Sequence, residues 1–316
     1  MLEFDTDPFM PRPAAKSPRR PPQPTPAPEE IDPVWLVKAL ATTVGVAAVC
    51  AYLVLCLLFY QGQWQLVLHP ARTAAAPASI GGAPYQLLHF GPDESAIPQL
   101  TGWWIPAAPG APYAKTTVLF LPAGDGSLAN SIPTLSALHT LGLNIFAFDY
   151  RGYGQSANTH PNQQKMTHDV GSAWQYLTTS RAIPADRVIP YGVGAGASLA
   201  ASLAAAHPAI PALILDSPYT DLLDIARRDP RSNFVPARLL FHEDFPLAAP
   251  LGTLRTPKLL LSTTKFPAAY RTAADPKTIA QFTAPTDALY TQAIARFLQS
   301  IDPSTQLAPS SARIAK

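Results

Sequence analysis

The chain has 316 residues, of which 47% are hydrophobic and only 14% charged, with a formal net charge of +2. A typical soluble chain is about 25% charged, so a largely disordered polar protein is excluded, and the near-neutral balance gives no support for nucleic acid as a partner. The two cysteines, Cys50 and Cys56, exclude a disulfide framework and a cysteine-rich zinc module.

Residues 1–33 carry ten of the 36 prolines, including the run from Pro21 to Pro28. Proline removes a backbone donor and fixes φ, so this density denies the segment both helix and sheet ladders. The expectation is a disordered, polyproline-II-rich cytoplasmic tail, either a solvated spacer or the ligand of a proline-reading partner. Residues 34–60 follow as a transmembrane helix. From Ala39 to Tyr60 there is no charge, and 22 helical residues span roughly 33 Å, enough for a bilayer core. Asp32 suits the cap and Pro33 the first helical position. Trp35, Tyr60 and Trp64 stand near the ends, where aromatic belts lie. A cleaved signal peptide has a shorter apolar run nearer the start and is disfavoured. Arg12, Lys16, Arg19, Arg20 and Lys38 precede the run and only Arg72 closely follows it. The positive-inside rule therefore puts the N-terminus in the cytoplasm and the C-terminal domain outside, periplasmic if the source is bacterial.

Residues 61–316 form the third segment. Strand-like apolar runs recur at Tyr85–Phe90, Gln99–Ile105, Thr117–Leu121, Leu143–Asp149, Val188–Tyr191, Ala212–Asp216, Lys258–Leu261 and Thr278–Phe282. Helical stretches at Ser131–Leu141, Gln164–Arg181, Ala195–His207 and Ala288–Ser300 alternate with most of them. Strand–helix alternation with nearly continuous apolar strands predicts a mostly parallel sheet with helices on both faces.

Four landmarks follow successive strands: Leu121 to Gly126 (LPAGDG), Phe148 to Ser156 (FDYRGYGQS), Ile189 to Ala197 (IPYGVGAGA) and Leu213 to Thr220 (LILDSPYT). Their order and spacing, with the Gly102-Trp103-Trp104-Ile105-Pro106 strand before them, resemble the α/β-hydrolase family. The nearest branch is that of membrane-anchored esterase-, lysophospholipase- and serine-aminopeptidase-like hydrolases. The resemblance spans roughly residues 66–300. It implies an α/β-hydrolase fold preceded by one transmembrane helix.

In that family a G-x-S-x-G turn lifts a nucleophilic serine above the sheet, and the acid and then the histidine follow in chain order. Here the turn is Gly192-Val193-Gly194-Ala195-Gly196, so Gly194 stands at the nucleophile position with no side-chain atom to attack a carbonyl. The acid position falls at Ser262–Pro267, around Lys265 and Phe266, without a carboxylate; Asp275 comes about ten residues late for the pattern. The histidine position falls at Thr286, and no histidine follows His242. The resemblance thus implies a degenerate triad at Gly194, Phe266 and Thr286. The family's His-Gly after the third strand is replaced by Pro122-Ala123-Gly124. Backbone donors at Ala123, Gly124 and Ala195 remain for a carbonyl or small anion.

Other constellations are weaker. The group His242-Glu243-Asp244 lacks a second spaced histidine for metal binding and reads as a solvated loop near the cleft mouth. Ser156, Asp149 and Arg151 match structural residues of the family's turn, and His160 and His168 read as surface residues. Gly192-x-Gly194-x-x-Ala197, followed by Asp216 one strand later, has the form of a dinucleotide fingerprint, although such a unit normally opens its domain. The combined expectation is a membrane-anchored, non-catalytic hydrolase-like protein that binds a ligand or partner, with no metal and no cofactor. A small acyl or carboxylate compound suits the cleft. The alternatives are a serine-type esterase or peptidase with a displaced triad, and a dinucleotide binder.

Overall fold

The computed structural model describes residues 33–73, 77–220, 222–263, 266–283 and 286–302. The proline-rich segment, Asp32 and Lys265 lie outside the described residues. By internal contacts the chain divides into Met1–Tyr52 and Leu53–Lys316. In the first unit a single apolar helix is described, the start of α1 (Pro33–Gly62), with almost every side chain exposed. The segment Pro33–Leu66 is long and apolar enough to cross a membrane by length and composition, near the N-terminus where a signal sequence passes the same test.

The second unit is built on an eight-stranded sheet. Its strands are β1 (Gln86–Pro92), β2 (Pro98–Ile105), β3 (Thr117–Leu121), β4 (Asn144–Asp149), β5 (Val188–Val193), β6 (Leu213–Asp216), β7 (Lys258–Ser262) and β8 (Lys277–Gln281), in the order β1-β2-β4-β3-β5-β6-β7-β8. β1–β2 and β2–β4 pair antiparallel and every other pair is parallel. This is the α/β-hydrolase fold. The inner parallel strands are buried on both faces, which is why they read as unbroken apolar runs. β1 lies at the edge with several side chains exposed.

Two buried clusters sandwich the sheet. One gathers Phe146, Phe148, Tyr150, Met166, Trp174 and Leu199 under α3 (Gln163–Gln175) and α4 (Ala195–Ala206). The other gathers Trp103, Phe120, Leu135, Tyr191, Ile294 and Phe297 under α2 (Ile132–Thr140) and α9 (Asp287–Ile301). The predicted elements are found within one to three residues at most ends. The exception is the helix expected to run to Arg181: α3 is capped by the Asn162 side chain, which accepts from Lys165 N (2.8 Å), and gives way after Gln175 to a π turn at Tyr176–Ser180.

Four short helices carry no sequence expectation: α5 (Leu222–Arg228), α6 (Ala237–Leu240), α7 (Ala248–Thr253) and α8 (Ala268–Thr272). Segments of four to seven residues are far below the length at which a helix forms alone. Tertiary packing holds them, as at Leu251 and Tyr270, both fully buried in the first cluster.

Candidate functional site

The site lies where β5 turns into α4. Gly194 adopts φ +55° and ψ −119°, a conformation that L-residues rarely enter and glycine enters freely. Its two framing glycines are required by close approach. A Cβ at Gly192 would collide with the Gly196 carbonyl and lie 2.7 Å from Ala197 Cα. One at Gly196 would collide with the Leu121 carbonyl and lie 2.7 Å from the Pro122 carbonyl oxygen. The sharp strand-to-helix bend is therefore fully built, with glycine at its apex.

The space above that apex is occupied. A Cβ at Gly194 would stand 3.0 Å from Ala123 Cβ and 3.0 Å from Tyr219 Cε1. Tyr219 reaches this place from the loop after β6, where Ser217 takes a non-glycine φ of +43°. The Tyr219 hydroxyl donates to Asp125 Oδ2 (2.5 Å) and lies beside Gly124, 3.3 Å from where a Cβ there would stand. The space beside Gly124 and above Gly194, the expected place of a carbonyl or anion, thus holds a phenol ring. Burial, and then the Asp125 carboxylate, push the Tyr219 hydroxyl well up, so it stays protonated near neutral pH and is no nucleophile.

A strap crosses beside it. His69–Pro70 pair in parallel with Asp125–Gly126. His69 N donates to the Gly124 carbonyl (2.8 Å), Ala71 N to the Gly126 carbonyl (2.8 Å) and Thr73 N to the Gly154 carbonyl (3.2 Å). Leu68 is buried, with Cδ2 2.5 Å from where a Gly124 Cβ would be. His69 Nδ1 lies 2.6 Å from Asp125 Oδ1, so His69, Asp125 and Tyr219 form one connected chain. Sequence reasoning did not single out His69, Asp125 or Tyr219. A two-residue strand paired 56 positions away leaves no periodic signal, and a lone tyrosine after a strand reads as packing.

The remaining triad positions are engaged in structure. Phe266 packs edge-on against Tyr270, ring centroids 6.0 Å apart, with the Arg271 guanidinium 5.6 Å from its ring. Thr286 caps α9, its side chain accepting from Leu289 N (3.3 Å). Asp216, the acid of the dinucleotide alternative, is buried at the end of β6. It accepts from the hydroxyls of Tyr191 (3.2 Å), Ser217 (2.8 Å) and Tyr290 (3.4 Å). Burial raises it despite these donors. The carboxylate is thus committed to interior hydroxyls, and the α4 N-terminus, where a pyrophosphate would sit, faces Tyr219.

The loop residues divide. Ser156 is structural: its hydroxyl donates to the Asp149 carbonyl (2.6 Å) and accepts from Thr101 N (2.9 Å). Asp149 Oδ1 accepts from Leu128 N (2.7 Å), and Arg151 Nε bridges to Asp169 Oδ1 (2.6 Å). His160 and His168 are exposed. The reading of 242–244 as a solvated loop is corrected at Glu243, which is buried and accepts from Gln163 N (2.6 Å), adding to the N-terminal capping of α3. A carboxylate beside a helix N-terminus gains from its unpaired amides, which explains its burial. Among the described residues no group of three or more His, Cys, Asp or Glu is placed to hold a metal ion.

With this geometry in hand the comparisons are specific. The family model described as Serine aminopeptidase, S33 (Hydrolase_4) matches residues 114–300. An uncharacterized protein of Mycobacterium tuberculosis (strain H37Rv) is 30% identical over 164 residues, 52% of this chain and 56% of that one. The alpha/beta hydrolase domain-containing protein WAV2 of Arabidopsis thaliana is 30% identical over 130 residues, 40% of this chain and 41% of that one. The chain thus spans about half the length of the curated relatives it matches. Among solved structures, the esterase Pf2001 of Pyrococcus furiosus superposes with a TM-score of 0.57 at 17% identity, covering 74% of this chain and 99% of that one. At that identity the likeness concerns the fold alone. Family model, strand order and the glycine-framed bend agree: the chain belongs to the serine aminopeptidase S33 (Hydrolase_4) family of α/β-hydrolases.

Proposed function

We propose that this chain is a membrane-anchored member of the family that does not catalyse hydrolysis, its domain serving as a ligand-binding or interaction module. The observation that carries the reading is the Tyr219 ring packed against Gly194 where a serine hydroxyl would act. Supporting it, the acid position at Phe266 holds an aromatic contact and the histidine position at Thr286 a helix cap. A small acyl or carboxylate ligand would reach the backbone beside Gly124 by displacing the Tyr219 ring packed there.

Loss of a triad serine alone costs about 10⁶ in turnover in a well-studied protease, leaving only ~10³–10⁴ over water from binding and oxyanion effects. The full chain treated with a fluorophosphonate probe is expected to show no labelled serine and negligible ester turnover. Robust labelling at any serine would overturn the reading in favour of a displaced triad. The anchor reading places residues 1–33 in the cytoplasm and the domain outside. A C-terminal reporter active only outside the cytoplasm is expected to be active; a silent reporter on an inserted chain reverses the orientation.

A further inference from the structure

Two side chains are more exposed than any other large apolar residue described: Leu239 at 82% and Phe234 at 69%. Both fall in the segment from α5 to α6, with Ile225, also exposed. They are not frayed ends of an apolar core. Their neighbours Val235 and Ala237 turn inward and pack on Phe59 near the end of α1, with Cys56 and Leu66 against them. Gln63 fastens the same segment: its Nε2 donates to the Leu240 carbonyl (3.0 Å) and its Oε1 accepts from His242 N (2.7 Å). The Tyr60 ring lies 4.4 Å from that of His242. One side of the segment is therefore held against the last turns of α1 while Phe234 and Leu239 point away from the protein.

The surface beside them is of the same kind. Leu57, Leu58 and Tyr60 of α1 are exposed. An apolar groove of about 190 Å³ opens between Leu55, Phe59, Leu66 and Val235. Arg228 and Arg238 are exposed within the segment. Exposed apolar tips and exposed arginines in one segment, held against the end of an apolar helix, have the make-up of a surface seated at headgroup depth, where arginines snorkel and apolar groups sink about 5–10 Å. Contiguous exposed apolar patches on a soluble face are otherwise avoided.

We propose that the α5–α6 segment is a second membrane contact, with Phe234 and Leu239 inserted in the lipid interface beside the last turns of α1. It rests on the anchor reading above, and extends it from a tether to a fixed seat for the domain. The test uses the full chain in vesicles of zwitterionic lipid with a minor anionic fraction. Cys50 and Cys56 are replaced by alanine, and one cysteine carrying an environment-sensitive fluorophore is placed at 234, 239, 49 or 97. Ile97 is an exposed apolar control in the turn between β1 and β2. Labels at 234 and 239 are expected to shift to the blue and lose intensity with nitroxide lipids quenching at shallow depth, while the label at 97 responds only to aqueous iodide. The label at 49 is expected to respond to deep nitroxides. Equal behaviour at 239 and 97 overturns the proposal while the anchor stands. Shielding of 239 from both nitroxide and iodide also overturns it, assigning the patch to a protein partner. Failure at 49 removes the anchor reading and this inference with it.

Discussion

The glycine-framed bend makes a ranked prediction about stability. At Gly196 an added methyl meets the carbonyls of Leu121 and Pro122, and at Gly192 it meets backbone atoms of Gly196 and Ala197. These are main-chain atoms in a parallel sheet and a packed helix, so neither side can yield without breaking ladder or helix bonds. At Gly194 the methyl meets Ala123 Cβ and Tyr219 Cε1 at 3.0 Å, and a ring can shift by a few tenths of an ångström. The left-handed φ there costs an L-residue about 1–2 kcal/mol. Overpacking against a rigid backbone reaches about 3 kcal/mol or more. For a domain of this size each kcal/mol moves Tm by about 2–4 °C. Gly194→Ala is therefore expected to melt about 2–8 °C below the parent, and Gly192→Ala and Gly196→Ala at least about 6 °C below it or not to fold. Thermal melts of the full chain in one detergent, followed by near-ultraviolet circular dichroism, read all three. Adding Tyr219→Ala should recover part of the Gly194→Ala loss, a coupling of about 0.5–1 kcal/mol, and none at Gly196. A Gly196→Ala melt within about 2 °C of the parent, or a Gly194→Ala loss exceeding the other two, would refute the reasoning.

Two further outcomes follow from the buried charges. Arg151→Met strands the Asp169 carboxylate, whose side chain is only 1% exposed, and should cost about 3–5 kcal/mol by chemical denaturation; a loss under about 1 kcal/mol would show the pair to be solvent-compensated. Burial, outweighing the amides of Leu128 and Gln155 and the charge of Arg72, pushes Asp149 up to about 6 from its ordinary 3.8. The native state then holds that proton more tightly than the unfolded state, so its contribution is most favourable below about pH 3.8 and declines by about 3 kcal/mol as pH rises to 6. Asp149→Asn keeps an oxygen for Leu128 N and should flatten the fall in denaturation midpoint between pH 4 and 6; an unchanged slope would contradict the assignment.

Much of this molecule is legible in its amino-acid order because the signals are local. The apolar runs at Thr117–Leu121 and Asn144–Asp149 show period-free hydrophobicity since both faces of an inner parallel strand are covered. The charge-free run from Ala39 to Tyr60 announces a long apolar helix by length and composition alone. Gly192, Gly194 and Gly196 sit within five residues, so their bend and its missing serine are read directly. What fills the bend depends on distance along the chain. Tyr219 is set over Gly194 by a turn after β6, and His69 meets Asp125 through a two-residue pairing. The outward turn of Phe234 and Leu239 depends on Val235 and Ala237 finding Phe59 on α1. Segments as short as α5 and α6 have too few residues to hold a helix or choose a face by themselves. Only the packing of distant elements decides which side of them is buried and which is left exposed.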